Sequence, residues 1–228
     1  MTIQMPSALR AATIAVSLSA LAVFAAPAFA AANAAPVKGN AEAGATKAAT
    51  CMACHGPNGN GSINPEWPAL AGQGSVYIAE QVAAVKDGKR PVAQMMPIVQ
   101  GLSAQDMADI GVYFARQTPV GREAEAANWA AGEKLYRNGD PARAIPACLS
   151  CHGPAGKGNP AAAYPSLRAQ HAVYSLKQLN DYANDARYAK DAKGKSLAGA
   201  NAQMMQTIAA RLTADERRNL SSYIQGMR

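Results

Sequence analysis

Large aromatic rings are scarce in these 228 residues: three Phe, two Trp and eight Tyr make up 6% of the chain. Two well-filled cores are hard to build from so few, which leaves room for a filler that is not protein. Cysteine has no surplus either. The four present, at 51, 54, 148 and 151, lie in two tight pairs, which excludes the disulfide framework of a small secreted domain. Histidine is limited to His55, His152 and His171. No stretch alternates apolar and polar residues over a useful strand length, so the pattern predicts an all-α fold.

What is present is arranged around Cys51-Met52-Ala53-Cys54-His55 and its copy, Cys148-Leu149-Ser150-Cys151-His152. Two thiols three positions apart, followed at once by a histidine, are the attachment signature of c-type haem. On a helical turn both thiols share one face, within reach of two vinyl groups of a single porphyrin, and the next residue carries its imidazole towards the iron. A covalently held macrocycle also supplies the apolar bulk that a domain of about 90 residues finds hard to provide. Zinc could take two Cys pairs, but the adjoining histidines and the long separation do not match compact zinc knuckles. A redox-active Cys pair expects a βαβ setting, which this pattern lacks.

The copy extends well beyond the motif. Pro68 and Pro165, Leu70 and Leu167, Gln73 and Gln170, Tyr77 and Tyr174, and Gln81 and Gln178 share the 97-residue offset of the cysteines. Leu102 and Leu212, Ser103 and Thr213, and Tyr113 and Tyr223 differ instead by 110, so 13 extra residues enter between Gln178 and Met205. Nine more precede the second motif, since Gly44 to Cys51 spans seven positions and Gly132 to Cys148 sixteen. A period near 100 residues is domain-sized. The sequence therefore predicts two tandem domains, 31–120 and 121–228, joined near Thr118-Pro119-Val120-Gly121. Each is expected to close with a capped helix: Ser103 with Asp106 at one, burying Met107, Ile110 and Phe114, and Thr213 with Glu216 at the other, burying Leu220, Tyr223 and Ile224.

Residues 1–30 contain one base, Arg10, no acid, an apolar run from Ala11 to Ala26, and then Pro27-Ala28-Phe29-Ala30. This predicts a secretory signal peptide cleaved after Ala30, with Ala32-Asn33-Ala34 as a second acceptable site. An uncleaved anchor is disfavoured, because the run falls short of the ~20 residues a span needs. Export to the bacterial periplasm is the expectation. Residues 31–120 carry six bases and six acids, whereas 121–228 carry fifteen bases and nine acids. A basic second half suits association with an acidic protein partner or peripheral contact with an anionic membrane, and a plain solubilising surface accounts for it equally well.

The iron needs a further ligand or an open site. With two histidines committed, His171 is the only one left, and it faces Gly74 in the repeat; it reads as a partly exposed surface residue. Each half offers a Met pair upstream of its closing helix. Met95 lies seven residues before Leu102 and Met205 seven before Leu212, which selects them over Met96 and Met204 as axial ligands, although Met96-Pro97 also resembles single-haem cytochromes. Histidine with a thioether favours ferrous iron and fills both axial positions, which points to electron transfer and not to oxygen activation.

Taken together, Cys-Met-Ala-Cys-His-Gly, Pro68-Ala69-Leu70-Ala71-Gly72-Gln73-Gly74, Gly132-Glu133-Lys134-Leu135-Tyr136, Gln170-His171-Ala172-Val173-Tyr174 and Leu220-Ser221-Ser222-Tyr223-Ile224-Gln225-Gly226 resemble the dihaem cytochrome c4 family. The resemblance implies two class I cytochrome c domains related by an approximate twofold axis, each wrapped around one haem c on Cys51 and Cys54 or Cys148 and Cys151. It implies that Pro68 and Pro165 lend carbonyls to the rings of His55 and His152, and that Gly44 and Gly132 let helices approach closely. It further implies no substrate turnover, and electron transport from a quinol-oxidising complex to a terminal oxidase. The partners are then redox proteins of the respiratory chain, with no nucleic acid and no small-molecule substrate. A haem subunit of a periplasmic dehydrogenase shares all these residues. A dihaem peroxidase fits less well, for want of an open iron site and a distal acid or base. The added segment, Arg187 to Lys195, is expected to be a basic loop that meets an acidic redox partner.

Overall fold

Asn40 starts the first helix by accepting, through its side chain, the backbone N–H groups of Glu42 and Ala43 at 2.8 and 3.1 Å. Helix α1 (Ala41–His55) then runs unbroken through the first Cys pair to its histidine. The computed structural model describes residues 1–2, 37–61 and 64–228, so nearly all of the expected signal segment lies outside the described residues. The first half continues with α2 (Ser75–Lys86), the single turn α3 (Met96–Val99) and α4 (Ala104–Ala115). The second half holds α5 (Ala126–Asn138), α6 (Leu149–His152), α7 (Ala172–Ala183), α8 (Ala200–Ala209) and α9 (Ala214–Gly226). Among the described residues there are isolated β-bridges but no strand, and no helix is long and apolar enough to cross a membrane. The fold is all-α.

Both closing helices carry the expected capping boxes, Ser103 with Asp106 on α4 and Thr213 with Glu216 on α9. Each closing helix crosses the first helix of its half at a glycine. A Cβ at Gly44 would lie 2.1 Å from the Asp109 carbonyl oxygen on α4, and one at Gly132 would lie 2.2 Å from that of Asn219 on α9. Only glycine permits that approach. It lets α1 and α4 bury Ala48, Ile110 and Phe114 together with Ile78 of α2. The second core is larger, with Leu135, Tyr136, Ile145, Leu212, Leu220, Tyr223, Ile224 and Met227. At roughly 1.5–3 kcal/mol for each large apolar side chain, the first core is thin for a domain of its own.

The halves differ where the sequence adds residues. In the second, the helix corresponding to α1 breaks: α5 ends at Asn138, Gly139 turns at φ 63°, and a loop clasped by the Asp140–Ile145 bridge precedes α6. The 13-residue addition begins after Arg187. Up to that point the halves match at the 97-residue offset, with Gly88 (φ 70°) and Asp185 (φ 49°) at corresponding turn positions and Arg187 corresponding to Arg90. The segment expected to be a basic loop that meets an acidic redox partner is therefore divided. Arg187 and Tyr188 turn inwards and are 4% and 7% exposed, and the Ala189 N–H donates to the Lys89 carbonyl of the first half; Lys190, Lys193 and Lys195 face solvent.

The two halves meet through a reciprocal clamp. The Gln73 side chain accepts from the Ser166 N–H (2.8 Å) and donates to the Ser166 carbonyl (2.9 Å). The Gln170 side chain does the same to Ala69, at 2.8 and 2.9 Å. Ala69 and Ser166 are themselves 97 residues apart, so the same surface serves on both sides, as in an isologous twofold interface.

Candidate functional site

Between the halves lies a cavity of about 1150 Å³, above the roughly 300–1,000 Å³ of a pocket for one small molecule. Its walls include all eight residues singled out by sequence: Cys51, Cys54, His55 and Met95 from the first half, and Cys148, Cys151, His152 and Met205 from the second. Met205 and Met95 are half-buried. Met96 is absent from the lining, while Met204 reaches it but remains 44% exposed.

The imidazoles are fixed in the same way. His55 Nδ1 donates to the Pro68 carbonyl at 2.8 Å, and His152 Nδ1 donates to the Pro165 carbonyl at 2.9 Å. With the hydrogen on Nδ1, Nε2 keeps its lone pair, which is the tautomer an iron requires, and the carbonyl raises its basicity. Burial first, and Arg90 second, hold the His55 ring below the usual histidine range against the opposing pull of Pro68; burial does the same at His152. Both rings are biased towards the neutral form that can ligate a metal.

No disulfide joins the four cysteines. Burial pushes the Cys51 thiol up and the Cys148 thiol to about 11. Among the described residues no cluster of three or more His, Cys, Asp or Glu could hold a metal ion by itself, so the two pairs do not converge on a zinc. A c-type haem in each half fits what is present: a thiol pair, an imidazole of fixed tautomer, a methionine opposite in the sequence repeat, and a cavity larger than one small-molecule pocket.

Three features escaped the sequence reading. The repeated glutamines form the clamp between halves, and the tyrosines of the same repeat work across it. Tyr77 of α2 accepts from Arg187 Nη2 (3.0 Å), while Tyr174 of α7 accepts from Arg90 Nη2 (3.1 Å). The extension of the 97-residue offset to Arg90 and Arg187 was the signal available. His171 is partly exposed, as expected, but it sits at the junction, where burial and then Arg122 lower its pKa, and its Nε2 has no hydrogen-bond partner.

Comparison with known proteins agrees with this geometry. A profile of the family described as "Cytochrome c" matches twice, at residues 41–116 and 129–228. The cytochrome c4 of Pseudomonas aeruginosa is 43% identical over 189 residues, covering 83% of this chain and 89% of the relative. A thiosulfate dehydrogenase electron acceptor of Thiomonas intermedia is 34% identical over 170 residues, 73% of each chain. Among solved structures, reduced recombinant cytochrome c4 from Pseudomonas stutzeri superposes with a TM-score of 0.74 at 40% identity, covering 83% of this chain and all of that one.

Proposed function

The chain belongs to the cytochrome c family, in its dihaem c4 branch, and from that premise we propose that it carries electrons singly between redox proteins outside the bacterial inner membrane. Bound haem supplies the one-electron iron couple. The residues of the chain hold and tune it. Cys51 with Cys54, and Cys148 with Cys151, form the thioethers. His55 and Met95 would ligate the first iron, and His152 and Met205 the second. The domains are 31–120 and 121–228, behind a signal peptide at 1–30 that directs the chain to the periplasm.

One observation carries this reading: two imidazoles 97 residues apart, each tied through Nδ1 to a proline carbonyl, open onto one cavity that also takes a methionine from each half. With a histidine and a methionine of the chain available to each haem, neither iron would offer a vacant site for substrate. The route we propose runs from a quinol-oxidising complex to a terminal oxidase. A second reading, delivery of electrons from a periplasmic dehydrogenase, is favoured by the likeness to a thiosulfate dehydrogenase electron acceptor. Stopped-flow reduction by each purified donor separates the two.

Met95→Ala and Met205→Ala test the ligand assignment. Each is expected to abolish the weak sulfur-to-iron band at the red end of the oxidised spectrum for one haem and leave the other. An unchanged spectrum in either variant removes that methionine from the iron.

A further inference from the structure

Two guanidinium groups converge at the junction of the halves without a carboxylate. Arg187, 4% exposed, donates through Nη2 to the Tyr77 hydroxyl at 3.0 Å and to Gln81 Oε1 at 3.1 Å. Its Cζ lies 4.9 Å from the ring centre of Tyr182 and 5.8 Å from that of Tyr188. Arg90 donates to the same Gln81 oxygen at 3.1 Å and to the Tyr174 hydroxyl at 3.1 Å. One neutral amide oxygen thus serves two cations. Among the described residues neither arginine forms an ion pair, although the cavity wall includes Glu66, Glu80, Asp87 and Asp181. Asp87 is engaged by Lys89 and Asp181 by Lys177.

Arg187 is the more exposed to this deficit. Its Nε and Nη1 are buried with no acceptor at all. A guanidinium stays protonated even when buried, and a buried cation lacking a counter-ion costs several kcal/mol in a folded protein. Phenols and an amide cannot neutralise it. Every group that faces it (Tyr77, Gln81, Arg90, Tyr174, Tyr182 and Tyr188) lines the cavity, as does Arg187 itself. The missing negative charge is therefore to be sought in what the cavity holds, and a haem brings two carboxylate side chains.

We infer that Arg187 is the counter-cation for a carboxylate side chain of a haem in this cavity, and that it positions that acid at the junction and keeps it ionised. This rests on the two-haem reading given above. Arg187 is a positioning residue: it acts on the iron through the charge of the acid it holds. It also distinguishes the halves, because its counterpart Arg90 is only half-buried and leaves no buried nitrogen without an acceptor.

The test is Arg187→Gln in the full haem-loaded chain, with haem counted per chain and both midpoint potentials titrated optically from pH 5 to 9. The unsubstituted protein is expected to hold two haems; fewer would defeat the two-haem reading and this inference with it. In the variant, with two haems and both methionine bands intact, one redox equilibrium shifts about tenfold towards the oxidised form, or about 59 mV for one electron. That shift depends on pH as the released acid binds a proton. Arg187→Lys restores most of it. Two haems with unchanged potentials and pH profiles would reduce Arg187 to a packing role. If Arg187→Gln does not fold, redox-difference infrared spectra of the unsubstituted protein decide: ionised haem carboxylates only at pH 5 are expected, and a protonated one at the junction overturns the inference.

Discussion

Replacing Gly44 by alanine sets two rules against each other. By helix propensity alone the change stabilises α1, since alanine is better than glycine by about 1 kcal/mol in a helix interior. By packing it destabilises. The new methyl would sit 2.1 Å from the Asp109 carbonyl oxygen, 2.6 Å from its carbon and 2.9 Å from Tyr113 Cβ. An ordinary carbon–oxygen contact needs about 3.3 Å, so α1 and α4 must separate by roughly 1 Å. A gap of that size forfeits about a quarter to a half of each dispersion contact across Ala48, Ile110 and Phe114. It also stretches the 2.7 Å bond from the Asn40 N–H to Asp109. Overpacking of this kind typically costs about 1–3 kcal/mol, more than the propensity gain at most of that range. A 2.1 Å approach to backbone belongs in the upper part of that range, about 2–3 kcal/mol, so the expected net loss is about 1–2 kcal/mol, a fall of roughly 2–8 °C in Tm while the two halves unfold as one unit. Thermal unfolding of the holoprotein, followed by far-ultraviolet circular dichroism and by the haem absorbance, gives the answer. Ala49→Gly, at an exposed site of the same helix, calibrates propensity and should cost about 1 kcal/mol. A Gly44→Ala protein as stable as the parent, or more so, would refute the close crossing of α1 and α4.

The glutamine clamp predicts that Gln73→Leu and Gln170→Leu each destabilise, by about 1–3 kcal/mol for every backbone group left buried and unpaired. Together they should split unfolding into two transitions, one per half; a single transition at the parent temperature in calorimetry would show that the clamp does not join them. Acid should weaken the first half through α4. Lys47 and then Ser103 hold the Asp106 carboxyl well below its usual range, and the Asn40 N–H and then Lys47 do the same for Asp109. Because the folded-state values are depressed, this stabilisation is complete above the ordinary carboxylate pKa near 3.8 and is lost as pH falls through the lower folded values. Tm measured between pH 5 and pH 2 should therefore drop less steeply in Lys47→Met than in the parent, and identical slopes would remove Lys47 from the account.

Local signals were the legible ones. Ser103, Asp106, Thr213 and Glu216 announced two helix starts because a capping box is written within four residues. The Cys pairs and their histidines were readable because haem attachment is likewise a five-residue pattern. Gly44 and Gly132 made sense only beside helices about 65 and 87 residues downstream, and the family resemblance supplied that pairing. The break between α5 and α6 was visible as nine added residues, but not as a second clasped loop, since the Asp140–Ile145 bridge leaves no periodicity. Arg187 was misjudged for a physical reason. A basic residue among lysines reads as solvated, and only contacts with Tyr77 and Gln81, more than 100 residues away, draw it inside.

The clamp has one more consequence. Gln170 of the second half grips the backbone of Ala69, the residue after the proline whose carbonyl steadies His55; Gln73 of the first half grips Ser166, the residue after the proline that steadies His152. Each imidazole is thus braced by the opposite half. A tug that parted the halves would be felt at both imidazoles before either domain unfolded. Such cross-bracing makes the joint between the domains, as much as either pocket, part of what holds the two imidazoles in place.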